Sequence, residues 1–583
     1  MIVNEPGNCE ERIGSVSKRA RLRLCLAGVL ILALGLRLWG IGFGLPQRYH
    51  IDEPPYVLAA LRLAAGDLYI TYPYNSPNLF QFMLTGLYGL WYIVGWIAGA
   101  FRSPADFAAL YQRDPSGFYL LARGLVAVLS TGTVALLYLL GRSLSGKLVG
   151  LLAAGFLALA FGHAREAHYA VTDTLVTGLV VASLLGTVLY ARSSRQRYLV
   201  LAGMAGGAAV GLKYLPALVL LPSLLALFQH RGSRSAKGTI RKWGQGMLIL
   251  GCSSVAGFFF AFPAPLFSLD LFWVQWHQVW TQASGPLGGI QVDPAPFPLY
   301  YLETFVWGQG LAMTISAALG LVLVLRKRQP TGYVYIVLFA VGYFASISMV
   351  QTAFARYALP LVPLFVLLAA EAVVAVIWLV QQRASTRFAG VVGVLLCLIV
   401  GLVPAANLIR YDVLLTRTDT RTLARDWIEA HVPPGTRIAV QWYGPALSRA
   451  DDPEPGSQHT YDVVIMDPFD VRPKAYDLDT YRTAGVTCLV VNSWNKGFQH
   501  QDPSQTQSRQ RFYAQLDSGA RLVARFCPTL TGEQVPFVFE QIYGPYTSLW
   551  QIVRPGPEIE IYALSTQAGG LESRPYVFCR RAK

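Results

Sequence analysis

A chain of 583 residues that is 54% hydrophobic and 14% charged, with a mean hydropathy of +0.41, lies far from the soluble average of about 25% charged residues. That balance excludes an ordinary soluble enzyme. The net charge of +15 does not mark a nucleic-acid binder, because Lys and Arg punctuate long apolar runs instead of lining one polar face. The seven cysteines show no CxxC or Cys/His spacing, which removes zinc modules and a disulfide framework. At most one bridge is left, Cys527 to Cys579.

A membrane-crossing helix needs about 20 apolar residues, since every backbone amide must be satisfied within the segment. Apolar stretches run from 24 to 43, 118 to 141, 147 to 162, 173 to 191, 244 to 265, 304 to 325, 332 to 351, 357 to 381 and 388 to 410. The stretch 198 to 229 accommodates two short helices broken at Lys213-Tyr214-Leu215-Pro216. The first stretch is not a cleavable signal, because a long charged tail precedes it and no small-residue cleavage site follows.

Orientation follows from the basic residues, which collect on the cytoplasmic side. Lys18, Arg19, Arg21 and Arg23 precede the first stretch; Arg142 with Lys147, and Arg192 with Arg195 and Arg197, mark two turns. Arg231, Arg234, Lys237, Arg241 and Lys242 mark a third, followed by Arg326, Lys327 and Arg328, then Arg383 and Arg387. Placing all of them inside requires the segment 79 to 101 to enter and leave on the outer side, as an interfacial helix or shallow hairpin. The expectation is about 11 crossings of the plasma (inner) membrane, amino terminus cytoplasmic and carboxyl terminus outside. Outer loops then fall at 44 to 117, 163 to 172 and 266 to 303.

From residue 411 charges become frequent and apolar runs shorten to strand length, which divides the chain into a membrane domain, 1–410, and an outer soluble domain, 411–583. Thr420 to His431 reads as an amphipathic helix, Arg437 to Trp442, Val463 to Met466 and Thr487 to Val491 as strands, with a short helix near 478 to 484. Alternation of helices and strands favours a small α/β sandwich. No Gly-rich loop opens any of these helices, so nothing points to a nucleotide.

The first outer loop holds Tyr49-His50-Ile51-Asp52-Glu53-Pro54-Pro55-Tyr56. Asp52 ahead of two prolines reads as a helix N-cap, and equally as a base beside a second carboxylate, Glu53. The second loop returns His163, Arg165, Glu166, His168 and Asp173 to the same face. Asp173 reads also as a cap, and Arg165 as a partner of Glu166. A divalent cation held by this set stays an alternative, since the ligand spacing is not diagnostic. Lys213 at the helix break is suited to an anionic partner such as a phosphate, or snorkels to the interface. Arg356, in Arg356-Tyr357-Ala358-Leu359-Pro360, is a second phosphate candidate; Arg37 and Arg123 read as snorkelling, and Glu371 as a polar contact between helices.

The ordered series His50-x-Asp52-Glu53-Pro54, Gly66-Asp67-Leu68, Tyr72-Pro73, Arg165, Asp173, Lys213-Tyr214 and Arg356-Tyr357-x-Leu359-Pro360 resembles the GT-C glycosyltransferases, within them the branch of protein O-mannosyltransferases and lipid A aminoarabinose transferases. The resemblance covers residues 20 to 410, with a weaker likeness at Arg554-Pro555-Gly556-Pro557. It implies an α-helical polytopic membrane protein of GT-C fold, with about 11 to 13 membrane helices, and transfer of a sugar from a polyprenyl-phosphate donor to a glycolipid, glycan or protein acceptor outside. It implies Asp52 as catalytic base, Glu53 and Asp173 as further carboxylates, and Lys213 and Arg356 on the donor phosphate. His50, Arg165, Glu166 and His168 orient the acceptor. The single Asp52-Glu53 pair departs from the multi-carboxylate pattern of metal-dependent oligosaccharyltransferases, so an obligatory metal stays open. Specificity is expected from the loop 266 to 303, with Trp273, Trp276 and Trp280, and from the outer domain. A transporter or flippase of a lipid-linked substrate is the rival reading, because a broken helix at Lys213 also suits a discontinuous substrate site.

Overall fold

The computed structural model describes residues 7–67, 77–229, 236–285, 290–291, 297–326, 332–350, 352–449, 454–455, 457–470, 472–500, 502–564 and 576–579. Leu68, Tyr72, Pro73, Arg231, Arg234, Lys327 and Arg328 from the motifs and clusters above lie outside these residues. The membrane part opens with α1 (Gly7–Leu38), α2 (Glu53–Ala64), α3 (Leu79–Ile97), α4 (Pro104–Arg113), α5 (Ser116–Ser145), α6 (Lys147–Leu159), α7 (Phe161–Glu166), α8 (Asp173–Ser193) and α9 (Gln196–Leu212). It continues through α10 (Leu221–Gln229), α11 (Ala236–Ala261), α12 (Ala264–Phe267), α13 (Leu269–Ser284), the two-residue strand β1 (Ile290–Gln291), α14 (Phe297–Gln309), α15 (Leu311–Leu325), α16 (Tyr333–Ser348), α17 (Val362–Gln381) and α18 (Thr386–Leu415).

Among the described residues six helices are long and apolar enough to cross a membrane by length and composition, or seven if the bent pair α14–α15 is one span. The expected 11 to 13 are not confirmed. The shortfall has a local cause: α6, with 13 residues, α15, with 15, and α16, with 16, are shorter than the hydrocarbon is thick. The expected span 304 to 325 is in fact bent by 117°. Gly310 makes the bend with φ +79°, and a Cβ there would meet Val403 at 2.8 Å. The break at Lys213 is present: α9 ends at Leu212, and a 3-10 turn over Leu215–Leu220 leads into α10. In segment 79 to 101 there is no hairpin: α3 is one uninterrupted helix over Leu79–Ile97, opened by a capping box between Asn78 and Gln81, and it is itself one of the six helices long and apolar enough to cross. α3 meets the first turn of α5, with Tyr88 donating to Phe118 O at 3.0 Å and Trp91 packed on Phe118.

Small residues set the closest approaches, as expected where lipid removes the hydrophobic drive between helices. Gly203, Gly207 and Gly211 place α9 directly on the backbone carbonyls of Leu250, Ser254 and Phe258 in α11. Gly320 does the same for α15 on Leu368 of α17.

The C-terminal domain begins after α18, which runs past residue 411 to Leu415. It comprises α19 (Thr420–His431), β2 (Arg437–Gln441), β3 (Asp462–Met466), α20 (Leu478–Thr483), β4 (Cys488–Asn492), α21 (Ser493–Gly497), β5 (Gln499–His500), α22 (Pro503–Gly519), β6 (Arg521–Phe526), β7 (Ile559–Ala563) and β8 (Tyr576–Phe578). Six strands form one sheet in the order β3-β2-β4-β7-β6-β8, parallel from β3 to β4, with β7 antiparallel to both neighbours. Alternate residues serve opposite faces: Ile438, Val440, Cys488 and Val490 pack with Ala424 and Ile428 of α19, whereas Ala439, Leu489 and Val491 pack with Phe512 and Leu516 of α22. Covering both faces buries every residue of β4 and β7 and all of β2 beyond Arg437.

Several connections bind this domain to the membrane part, among them Arg48 to Glu454 at 2.8 Å and Tyr49 to Thr422 at 3.0 Å. β1 in the loop 266 to 303 pairs antiparallel with β5. The segment after β6 returns to the helices, where Tyr546, Leu549 and Ile552 join the core around Phe161 and Tyr411, and Arg410 donates to Leu549 O at 3.0 Å and Ile552 O at 2.6 Å.

The disulfide between Cys527 and Cys579 joins the ends of β6 and β8, closing 52 residues of sequence. Loop-closure entropy of that length is worth about 4 kcal/mol. Reduction is therefore expected to lower the stability of the outer domain by about 2–4 kcal/mol, seen as an earlier unfolding midpoint in reductant; an unchanged midpoint would show that β8 contributes nothing to the fold.

Candidate functional site

The loop after α1 is drawn onto α5 by a buried ion pair. Glu53, the first residue of α2, accepts from Arg123 Nε at 2.7 Å and Nη2 at 2.6 Å, and from the Ala170 amide at 2.8 Å. Arg123 also donates to the Ile41 and Phe43 carbonyls at 2.7 and 2.8 Å. Both side chains have no exposed surface, so Arg123 does not snorkel, and both carboxylate oxygens of Glu53 are committed within the fold. Arg37 does not snorkel either: it is buried, donating to Ser130 Oγ at 2.8 Å and Ala33 O at 2.9 Å, with His163 Nδ1 3.1 Å away. Glu371 does form its contact between helices, accepting from Tyr333 at 3.0 Å.

With Glu53 anchored, Asp52 occupies the N-cap position of α2 but makes no side-chain cap. Its carboxylate is 35% exposed and accepts from Arg356 Nη1 at 2.7 Å. The guanidinium of Arg356 lies 4.0 Å from the centre of the Tyr543 ring and 4.6 Å from that of Phe354, so a ring from the outer domain holds it as well. A second pair adjoins the first. Asp173, which opens α8, accepts from Lys213 Nζ at 2.6 Å, and Lys213 stays 27% exposed. Tyr56, four residues beyond Asp52, reaches Thr172 beside Asp173 at 3.4 Å. Trp276 of the loop 266 to 303 packs on Tyr214, next to Lys213, with ring centres 5.0 Å apart; Trp273 and Trp280 stay exposed. Two carboxylates and two cations thus share one face.

Arg165 and Glu166 form an ion pair with each other. Arg165 also donates to the Glu540 carbonyl at 3.1 Å and the Pro545 carbonyl at 3.2 Å, while Glu540 Oε2 accepts the Ala355 amide at 3.0 Å. Burial pushes the Glu166 carboxyl up, opposed by Arg165. Arg165, Glu166, Ala355 and Arg356 line a small pocket with Phe161, Gln309 and Tyr546. His168 is not in the site. Its ring nitrogens face the Ala164 and Trp39 carbonyls at 2.8 and 3.0 Å, with Asp412 3.3 Å away. Among the described residues no three His, Cys, Asp or Glu side chains converge. Since Asp52 and Asp173 each face a cation, these donors do not compose a metal cage.

His50 is buried, stacked on Tyr169 with ring centres 4.1 Å apart, and neither ring nitrogen has a hydrogen-bond partner among the described residues. Burial, then Arg356, Arg123, Arg165 and Arg421, hold it well below the ordinary histidine value. The folded state therefore binds fewer protons here than the unfolded chain, and stability is lost as pH falls below about 6.5. The slope is at most about 1.4 kcal/mol per pH unit. His50→Phe is expected to flatten that part of the unfolding-midpoint profile; an identical profile would refute it.

Glu540, Tyr543 and Tyr169 escaped the sequence reading. No local motif marks them, because their roles arise from contacts such as Arg165 to Glu540, which lie 375 residues apart.

The fold so described is a helical membrane architecture with a C-terminal α/β domain, and its likenesses are to glycosyltransferases. Residues 120–258 match the family described as dolichyl-phosphate-mannose-protein mannosyltransferase. The archaeal oligosaccharyltransferase AglB from Archaeoglobus fulgidus, in complex with an inhibitory peptide and a dolichol-phosphate, superposes with a TM-score of 0.50 at 13% identity, covering 94% of this chain and 88% of that one. ArnT from Cupriavidus metallidurans bound to undecaprenyl phosphate gives 0.48 at 13% identity, covering 95% and 99%. No curated protein matches. The resemblance to the GT-C glycosyltransferases drawn from the motif series stands; at this identity the archaeal match is one of fold.

Proposed function

We propose that this chain is an integral membrane glycosyltransferase that moves a sugar from a polyprenyl-phosphate donor to an acceptor hydroxyl on a glycolipid, glycan or protein, outside the plasma (inner) membrane, with Asp52 as base. The observation that carries this reading is the Asp52 carboxylate, at a helix start yet not capping it, exposed and held by Arg356 at 2.7 Å beside the Lys213–Asp173 pair.

The chemistry follows from that geometry. An anionic phosphate competes for Arg356 and Lys213, both partly exposed, and so releases Asp52. Asp52 then takes the proton of the acceptor hydroxyl as its oxygen bonds to the sugar C1. The electron pair of the breaking C1–O bond passes to the departing phosphate, whose charge Arg356 and Lys213 hold. Asp173 positions Lys213, and Glu53 positions the loop that carries Asp52. A dolichol-phosphate is bound by the archaeal protein of like fold, and a lipid donor suits a site at the ends of membrane helices. Among the described residues Asp52 and Asp173 belong to no group of three His, Cys, Asp or Glu side chains that could hold a divalent cation, and no step is assigned to one.

The outer placement rests on the basic clusters and on the Cys527–Cys579 bridge, which persists in oxidising compartments. In this reading residues 1–410 form the catalytic domain, and 411–583 the extracytoplasmic domain.

The test gives purified protein in lipid a panel of polyprenyl-phosphate sugars and acceptors. Wild type is expected to release polyprenyl phosphate and Asp52→Asn not to. Release from neither, with donor moved between leaflets, would replace the transferase by a flippase.

A further inference from the structure

We infer that Tyr443 of the outer domain orients the acceptor hydroxyl against Asp52; this rests on the transferase reading and assigns the outer domain its part in it. Tyr443 follows β2 in the turn Gln441-Trp442-Tyr443-Gly444 and has φ +62°, a region that bulky residues enter only when the surroundings impose it. Here three buried amide side chains impose it. The Trp442 carbonyl accepts from Asn492 Nδ2 at 2.8 Å and Asn495 Nδ2 at 2.6 Å. Gln441 accepts the Asn492 amide at 2.9 Å and donates to Tyr513 at 2.9 Å. A glycine or asparagine would adopt this turn with less strain, so turn geometry alone does not account for a tyrosine.

The turn places the Tyr443 ring beside the site. It packs on Trp494 and Phe498 with ring centres 6.2 and 6.0 Å apart. These belong to one cluster with Ile51, the neighbour of Asp52, and with Tyr543, whose ring carries Arg356. The Asp52 carboxylate is near enough to oppose ionisation of the phenol, after burial. The hydroxyl therefore stays a neutral group able to donate and accept. Tyr443 is half-buried, and among the described residues its hydroxyl makes no hydrogen bond. No bond forms or breaks at Tyr443: it holds the acceptor oxygen while Asp52 takes the proton.

Tyr443→Phe keeps the ring, its packing and the turn, and removes only the hydroxyl. With purified protein in lipid, the variant is expected to lose roughly tenfold in kcat/KM for the acceptor, with donor KM and affinity for free polyprenyl phosphate unchanged. An unchanged acceptor kcat/KM, or an equal rise in donor KM, overturns the assignment and leaves the transferase reading standing. Absence of transfer by the wild type across the panel overturns that reading, and this one with it, and is recognised because the wild type itself does not turn over.

Discussion

Asp52→Asn is expected to lower turnover by about 10²–10⁴-fold, the range for loss of a positioned general base, while affinity for polyprenyl phosphate holds or rises. The second half of this result carries the discrimination. Asparagine is nearly isosteric with aspartate and leaves α2 intact, because Asp52 makes no cap bond. It also removes the anion that occupies Arg356 at 2.7 Å, so the guanidinium becomes freer to meet a phosphate. A carboxylate whose only task was to fix Arg356 would behave otherwise, since its loss would weaken lipid-phosphate binding along with turnover. Binding of free polyprenyl phosphate and single-turnover rates, measured on one preparation, separate the two. Parallel loss of both would remove Asp52 as the base.

Glu53→Gln, one residue away, is expected to act on folding. The pair with Arg123 is fully buried and the carboxylate is saturated by three donors. Neutralising it leaves the Arg123 charge facing only the carbonyls of Ile41 and Phe43, a loss of about 3–5 kcal/mol. The double replacement Glu53→Leu with Arg123→Met removes both charges and is expected to recover part of that loss. Thermal unfolding in lipid at fixed protein concentration reads the difference. A Glu53→Gln protein of wild-type stability that no longer turns over would instead make Glu53 a catalytic residue. Adjacent carboxylates thus have opposite fates: at the start of α2 one is buried against Arg123 and the other stays partly exposed on Arg356.

The neighbourhood of Asp52 was legible because membrane chemistry is restrictive. An apolar run must be a helix, a basic turn reports its side, and an ionisable group near the hydrocarbon requires a partner. The break at Lys213 was legible for the same reason, and the strands of the outer domain because β-branched and aromatic residues recur between turn signals. The bend at Gly310 was not, since a glycine within an apolar run gives no sign that Val403 will crowd it. Arg37 and Arg123 were misjudged for a related reason. Their position near helix ends permits either snorkelling or a buried partner, and the partners, Ser130 with His163 and Glu53, come from distant parts of the chain.

Composition and hydropathy by themselves determined that this chain lives in a membrane and carries a C-terminal α/β domain, because the cost of burying backbone and charge in lipid is local and can be read segment by segment. Which carboxylate is buried, which stays partly exposed on Arg356, and that Tyr543 of the C-terminal domain packs on that cation were decided only by the tertiary structure. Such pairings span 304 residues for Asp52 with Arg356 and 375 for Arg165 with Glu540, and pairings of that span are set by the packing of the helices and the return of the C-terminal domain onto them, which no local pattern encodes.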